Sequence, residues 1–288
     1  GPCTADENNN GAGIGGYVMT YSTLASIVKY PFASSLAGGH GKFGFFASEE
    51  DTFVKIADEL GLQKLSEKGA PVRYSRHPLV YLVEAADDIC YEIMDIEDSF
   101  KLKILTFEET ECLLMNFFSE DIQQHIHQRI TDEGLTDDNE KVVYMRASTV
   151  GKLVNECVEA FVENEDAILN GTFQGGLIDH ISDIPRKAYK HCSDMSYQKI
   201  YNSKPVLDVE LSGYKIMQTL METLIEAVTH PERFYSQQLV RRVSSQYDIN
   251  SENLETRIMA VIDYISGMTD IYALDIYQKM NGTALPII

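Results

Sequence analysis

Basic residues are scarce in this 288-residue chain, which has 24 lysines and arginines against 44 aspartates and glutamates. The resulting formal net charge of −20 at pH 7 repels the phosphates of nucleic acids and the headgroups of anionic membranes. A general electrostatic affinity for either is therefore not expected. A local basic pocket for a small anion is still allowed, although few side chains are available to build it.

Long apolar runs and paired cysteines are also lacking. No apolar stretch approaches the length of about 18 residues that indicates a membrane span, and no signal peptide is recognisable. The five cysteines are widely spaced and include no CxxC pair. Since free cysteines are commonly buried and cytosolic disulfides are rare, we predict a soluble cytoplasmic protein with reduced thiols. Three of these thiols lie in apolar helical settings and are expected to be buried: Cys90, Cys112 and Cys157.

Most short motifs that indicate catalytic chemistry are missing as well. The sequence has no HExxH, GxSxG, GxGxxG or DxDxDG pattern. The histidines His125 and His127 are two positions apart on a predicted helix, so they point away from each other and do not form a shared ligand pair. The loop GGHGK at 38–42 offers donors to phosphate, but Phe43 follows it where a P-loop has Ser or Thr. On its own this loop is interpreted as a mobile surface loop.

The chain does contain a clear pattern of amphipathic helices. Residues 1–16 are polar and rich in Gly and Asn and are predicted to form a flexible tail. Beyond them the spacing of apolar residues is helical. The main helices are predicted at about 78–102, 142–169, 213–230, 234–246, 252–265 and 267–281. The segment KPVLDVEL at 204–211 alternates loosely and predicts a short strand. The fold class predicted from these patterns is all-α.

One helix carries a line of polar residues that could bear chemistry. On the 78–102 helix, Asp87, Tyr91 and Asp95 are spaced i, i+4 and i+8 and therefore lie on one face. The acids follow two alanines, which indicate close helix packing. A buried acid is costly unless a cation compensates it, and a divalent metal is the usual compensation. By spacing alone, however, a solvated acidic face of an acidic protein is the favoured interpretation.

A family resemblance changes that interpretation. Segment 76–91 (RHPLVYLVEAADDICY) closely resembles the dGTPase branch of the HD-domain triphosphohydrolases. Three further segments agree in the same order: TYSTL at 20–24 running into KYP at 29–31, KFGFF at 42–46, and ISGMTDIYAL at 265–274. The resemblance thus spans about residues 18–285. The fold that it implies is a partial HD-domain-like helical bundle with a C-terminal helical extension and at most a short strand or hairpin.

The resemblance implies metal-dependent hydrolysis of a dGTP-like dNTP to the deoxynucleoside and inorganic triphosphate. In that family the metal is held by a histidine, a consecutive His-Asp pair and a later aspartate, which corresponds to Asp87. The implied cofactor is a divalent ion, Mg²⁺ or Mn²⁺ first, with Zn²⁺, Ni²⁺ and Co²⁺ as alternatives. Such an ion activates a water for in-line attack at the α-phosphate.

The same resemblance implies the residues that contact the substrate. Tyr91 and Asp95 correspond to positions that contact the deoxyribose and its 3′-hydroxyl. Lys29, Tyr30 and Lys42 correspond to positions near the triphosphate. Recognition of the sugar would then lie one helical turn from the metal, which suits attack at the phosphorus next to the sugar.

The chain departs from the family pattern in its histidines, because no His-Asp dipeptide occurs in the 288 residues. One carboxylate does not make a catalytic metal site. We therefore expect that the N-terminal half of the HD core is absent from this chain and that the polypeptide alone hydrolyses dNTPs negligibly. Residues 17–132 are assigned to the C-terminal part of the HD-type core and 133–288 to a helical C-terminal region.

Two alternatives remain beside this hypothesis. The first is a non-catalytic module for nucleotide sensing or oligomer assembly. The second is an HD phosphohydrolase acting on nucleoside monophosphates or cyclic dinucleotides, which the Lys29-Tyr30-Pro31 segment and the Asp87 helix disfavour. By family resemblance we also expect a homo-oligomer without membrane association, with single-stranded DNA as a regulator by analogy only.

Overall fold

The computed structural model describes residues 19–284, and within this range the regular structure is helical apart from three isolated β-bridges. The all-α prediction is confirmed, while the tail predicted at 1–16 lies outside the described residues. The chain divides into two compact units, the first ending at Tyr201 and the second beginning at Asn202. This division does not fall at the 132/133 boundary placed from the sequence, because the helix that follows that boundary packs within the first unit.

The first unit is built around two long helices. Its elements are α1 (Tyr21–Ser26), α2 (Glu50–Glu59), α3 (Pro78–Lys101), α4 (Phe107–Met115), α5 (Glu120–Asp132), α6 (Asp138–Glu163), α7 (Glu165–Leu169) and α8 (Asp183–Met195), followed by a π-helical turn at Ser196–Ile200. Helices α3 and α6 pack against each other. Their inner faces bury Ile93 and Ile96 with Met145 and Leu153, and this core fixes the orientation of α3.

The ends of these helices follow local sequence signals. Pro78 occupies the first turn of α3, where a proline is favourable because a backbone N–H at this position would have no partner within the helix. The Nδ1 atom of His77 caps the helix by accepting the backbone N–H of Leu79 at 3.2 Å. Thr106 forms the predicted capping box of α4. The single helix predicted at 142–169 is interrupted at Asn164, whose side-chain amide donates to the carbonyl of Ala160 at 2.8 Å. Such local bonding competes with helix continuation.

The second unit contains α9 (Lys204–Thr229), α10 (Phe234–Val240), α11 (Leu254–Ser266) and α12 (Asp270–Met280). The strand predicted at 204–211 is wrong, because these residues form the first turns of α9. Pro205 lies in the first helical turn, where its fixed φ is favourable. Leu207 and Leu211 fit an alternating strand pattern, but they are also four positions apart, which fits one face of a helix equally well. Both side chains are exposed. The core of this unit begins further along α9, at Leu220.

The cysteine prediction is confirmed in part. Cys157 is buried, as is Cys192, but Cys90 and Cys112 are exposed. The prediction is wrong for Cys90 and Cys112, because these two positions lie on the exposed sides of α3 and α4. Cys3 lies outside the described residues. No helix within 19–284 is long and apolar enough to cross a membrane.

Candidate functional site

The first feature of the site is a carboxylate on α3 that holds two cations from other segments. Glu84 accepts Lys29 Nζ on one oxygen and Arg76 Nη1 on the other, each at 2.9 Å. Arg76 Nε also donates to the backbone carbonyl of Lys29 at 3.0 Å, and its guanidinium lies 5.5 Å from the ring centre of Tyr81. Burial opposes the charge of Lys29, but the bond to Glu84 and the negative charges nearby together outweigh burial and raise the pKa of the ammonium group. Lys29 is therefore held charged and in one place.

A second cation joins Lys29 at the same tyrosine. The ammonium nitrogens of Lys29 and Lys42 lie 6.0 and 5.7 Å from the ring centre of Tyr30. The loop that carries Lys42 reaches this position because Gly44 packs directly on the preceding segment. A Cβ added to Gly44 would lie 2.1 Å from the carbonyl oxygen of Tyr30, and the N–H of Gly44 donates to the carbonyl of Phe32 at 3.0 Å. The structure thus brings together the three residues that the sequence assigned to the triphosphate.

The polar line on α3 divides between two environments. Asp87 and Tyr91 are exposed, the tyrosine by 65%, whereas Asp88 is half-buried. Burial raises the pKa of Asp88, Lys29 lowers it, and the neighbouring carboxylates, including Glu84 and Asp87, raise it again. These groups therefore share one electrostatic environment.

Four apolar side chains of α3 are exposed besides Tyr91: Leu79, Leu82, Val83 and Met94. The predicted metal ligand Asp87 and the predicted sugar contact Tyr91 lie on the same helix.

Asp95 has a partner that the sequence did not reveal. Its Oδ2 accepts the hydroxyl of Tyr201 at 2.8 Å. Burial and this bond to the carboxylate raise the pKa of the phenol. The two residues are separated by 106 positions, so neither spacing nor periodicity could have linked them.

Three more hydrogen bonds tie the same region to α3. The hydroxyl of Tyr189 donates to the carbonyl of Asp88 at 3.1 Å. Glu92, which is buried, accepts the hydroxyls of Ser193 and Ser196 at 2.8 and 2.9 Å. Polar bonds therefore hold α8 and the π-helical turn along the side of α3 that carries Asp88, Glu92 and Asp95.

The described residues do not by themselves fit a metal ion. Between 19 and 284 no group of three or more His, Cys, Asp or Glu side chains is placed to hold one. Asp87 has an accessible carboxylate, but Glu84 is committed to two cations. His77 caps α3, and burial lowers the pKa of its imidazole. One available carboxylate is too small a donor set for a catalytic ion.

Comparison with known proteins supports the resemblance. Residues 180–279 match the model of the phosphohydrolase-associated domain. A deoxyguanosinetriphosphate triphosphohydrolase-like protein of Pseudomonas aeruginosa is 30% identical over 282 residues, which cover 94% of this chain. One from Synechocystis is 31% identical over the same share. The chain is therefore similar to dGTP triphosphohydrolase-like proteins over nearly all of its length. A deoxyguanosinetriphosphate triphosphohydrolase of Yersinia pestis is also similar, at 25% identity over 91% of the chain.

The chain spans about three fifths of the length of the curated relatives it matches, 62% of the Pseudomonas protein and 60% of the Yersinia protein. The match to the phosphohydrolase-associated domain runs from the 3₁₀ turn before α8 to α12. It includes Tyr189 and Tyr201, so two of the contacts to α3 that sequence reasoning missed lie within the matched domain.

Proposed function

We propose that this chain forms the substrate-facing part of a metal-dependent dNTP triphosphohydrolase, which releases the deoxynucleoside and inorganic triphosphate. The observation that carries the proposal is the position of Lys29. Its ammonium group is fixed by Glu84 on α3, the same helix that bears Asp87, Tyr91 and Asp95. The proposed phosphate-binding cation is therefore bound to the same helix that carries the residues proposed for the sugar.

Each of these residues has a role suited to its chemistry. The ammonium groups of Lys29 and Lys42 would neutralise the charge of the triphosphate, and such preorganised charges stabilise a departing phosphate most effectively. The ring of Tyr91, exposed on α3, offers a surface for the deoxyribose. Asp95 would accept the 3′-hydroxyl, with the hydroxyl of Tyr201 orienting its carboxylate.

Asp87 is proposed as one ligand of the divalent ion and not as a complete site. The other ligands would come from residues outside those described. We also propose that the 288 residues alone release negligible triphosphate. Metal-dependent release of triphosphate from the pure chain, abolished by Asp87→Ala, would contradict this. The homo-oligomeric state and regulation by single-stranded DNA stay predictions from the resemblance.

Binding of dGTP to the chain, measured by isothermal titration calorimetry, tests the substrate assignments without requiring turnover. Lys42→Gln should weaken the binding of both dGTP and inorganic triphosphate. Asp95→Asn should weaken the binding of dGTP but not of inorganic triphosphate or of dideoxy-GTP, since neither carries a 3′-hydroxyl. Lys215→Gln, at an exposed position of α9, is the matched control. Equal affinity of the parent and Asp95→Asn for dGTP would refute the sugar assignment.

The alternative proposal is a non-catalytic module for nucleotide sensing or oligomer assembly. The two functions differ in one measurement. A triphosphohydrolase site would discriminate dGTP from GTP and, in an assembly that supplies the remaining ligands, release inorganic triphosphate. A sensing module would bind nucleotide and release no phosphate in any such assembly.

A further inference from the structure

A cavity of about 620 Å³ lies beside α8. The polar residues of its lining are Asp179, Arg186, Lys187, Tyr189, Lys190 and Ser193. Three of them are cations within five positions, in a chain that has only 24 basic residues and a net charge of −20. This concentration of positive charge sets the cavity apart from the acidic character of the chain.

The wall of the cavity is fixed to the helix that carries the candidate site. Tyr189 donates to the carbonyl of Asp88 at 3.1 Å, and Ser193 donates to Glu92 at 2.8 Å. Asp179 is close enough to Asp88 for the two carboxylates to interact electrostatically. The cavity therefore lies next to the turns of α3 that are proposed to face the substrate.

Two of the cations are available to a ligand. Arg186 forms an ion pair with Asp183. Lys187 and Lys190 are exposed, and neither has an ion-pair partner among the described residues. They are three positions apart on α8 and so lie on the same face. By contrast, the charge of Lys29 is already shared with Glu84.

The acidic side chain in the lining, Asp179, already has a hydrogen-bond partner at one of its oxygens. Asp179 Oδ2 accepts the backbone N–H of Gly176 at 2.9 Å, which holds this oxygen toward the turn before α8. The lining still has more positive than negative groups. A triphosphate carries several negative charges, and the Lys29–Lys42 pair, with Lys29 shared with Glu84, would leave much of that charge without a partner.

We propose that the α8 cavity is a polyphosphate subsite in which Lys187 and Lys190 bind phosphate groups of the ligand. An ammonium group on a flexible stem has three donors and suits phosphate as a point charge. The identity of the ligand as a nucleotide triphosphate rests on the proposed function. The anion subsite itself does not, and it can be tested on the chain alone.

The experiment is calorimetric titration of the 288-residue chain with inorganic triphosphate, without a metal ion and at low ionic strength, because salt screens contacts between exposed charges. The variant Lys187→Gln/Lys190→Gln removes two charges at exposed positions and should bind triphosphate about tenfold more weakly than the parent. The control Lys204→Gln/Lys215→Gln removes two exposed charges from α9 and should bind like the parent. Circular dichroism verifies that both variants remain helical.

Three outcomes would overturn the subsite: no binding of triphosphate by the parent, unchanged affinity in the α8 variant, or an equal loss in the α9 control. Titration with dGTP and with deoxyguanosine tests whether the subsite binds the phosphates of a nucleotide as well as free polyphosphate. The α8 substitutions should weaken the binding of dGTP and leave the binding of deoxyguanosine unchanged. If the α8 variant loses affinity for triphosphate while Lys42→Gln and Asp95→Asn leave dGTP binding unchanged, the subsite stands and the proposed substrate assignments fail. If the α8 variant keeps its affinity for triphosphate while Lys42→Gln and Asp95→Asn weaken dGTP binding, the subsite is refuted and the substrate assignments stand.

Discussion

Replacing Tyr201 by phenylalanine removes one hydroxyl and leaves the ring, so it isolates the bond to Asp95. The donor and acceptor are 2.8 Å apart. Hydrogen bonds to a charged group contribute about 1.5–3 kcal/mol. Tyr201 is 38% exposed, however, and solvent weakens such a contact, so we expect a loss of about 1 kcal/mol in the free energy of unfolding. In the first unit this corresponds to a fall of roughly 2–4 °C in the unfolding temperature.

The assay is thermal unfolding by calorimetry of four proteins: the parent, Tyr201→Phe, Asp95→Asn and the double variant. Tyr201→Phe removes the donor of this bond and Asp95→Asn removes the charge of its acceptor. Because both substitutions act on the same bond, the double variant should be at most a few tenths of a kcal/mol less stable than the less stable single variant. Tyr201→Phe should also weaken dGTP binding in the parent background and have little effect once Asp95 is replaced. Fully additive losses in stability would refute the inference that the two side chains interact.

Three other properties follow from the packing. Burial raises the pKa of Glu92, so its contribution to stability is present at low pH and is lost as the pH rises through its folded-state pKa. In urea unfolding, Glu92→Gln should therefore gain stability relative to the parent as the pH rises from 4 to 7, and a constant difference would contradict this. Burial raises the pKa of Cys157 to about 11, so mass spectrometry after brief alkylation at pH 8 should find Cys90 labelled and Cys157 unlabelled, whereas equal labelling would show that the core opens. Gly44→Ala forces a Cβ onto a backbone carbonyl and should lower the unfolding temperature and the affinity for triphosphate, while Gly39→Ala, with nothing within 4 Å of the added Cβ, should match the parent.

Local signals predicted much of the first unit correctly. The proline at 78 and the apolar spacing after it indicated α3, and the capping box at Thr106 indicated the start of α4. Such signals depend on residues within one or two helical turns. The segment 204–211 failed because its apolar residues are exposed on α9 and fit either periodicity.

Local sequence signals predict only part of the candidate site. The positions on α3 and the lysines near Tyr30 could be proposed from the sequence because they lie in short recognisable segments. The bond between Tyr201 and Asp95 spans 106 positions, and the link from Tyr189 to Asp88 spans 101. No local pattern encodes these contacts, since the packing of α8 and of the π-helical turn before Tyr201 against α3 creates them.

The acidic chain and its proposed polyanionic ligand are compatible because of where the charges are fixed. Glu84 is largely buried, with a side chain 10% exposed, and Lys29 is bound to it at 2.9 Å. The lysine therefore loses its conformational freedom when the chain folds and not when a phosphate binds, which favours affinity by preorganisation. The same carboxylate competes with a phosphate for that ammonium group. Additional cations without such a competitor are then the groups that decide affinity, and among the described residues Lys42, Lys187 and Lys190 meet that condition beside α3.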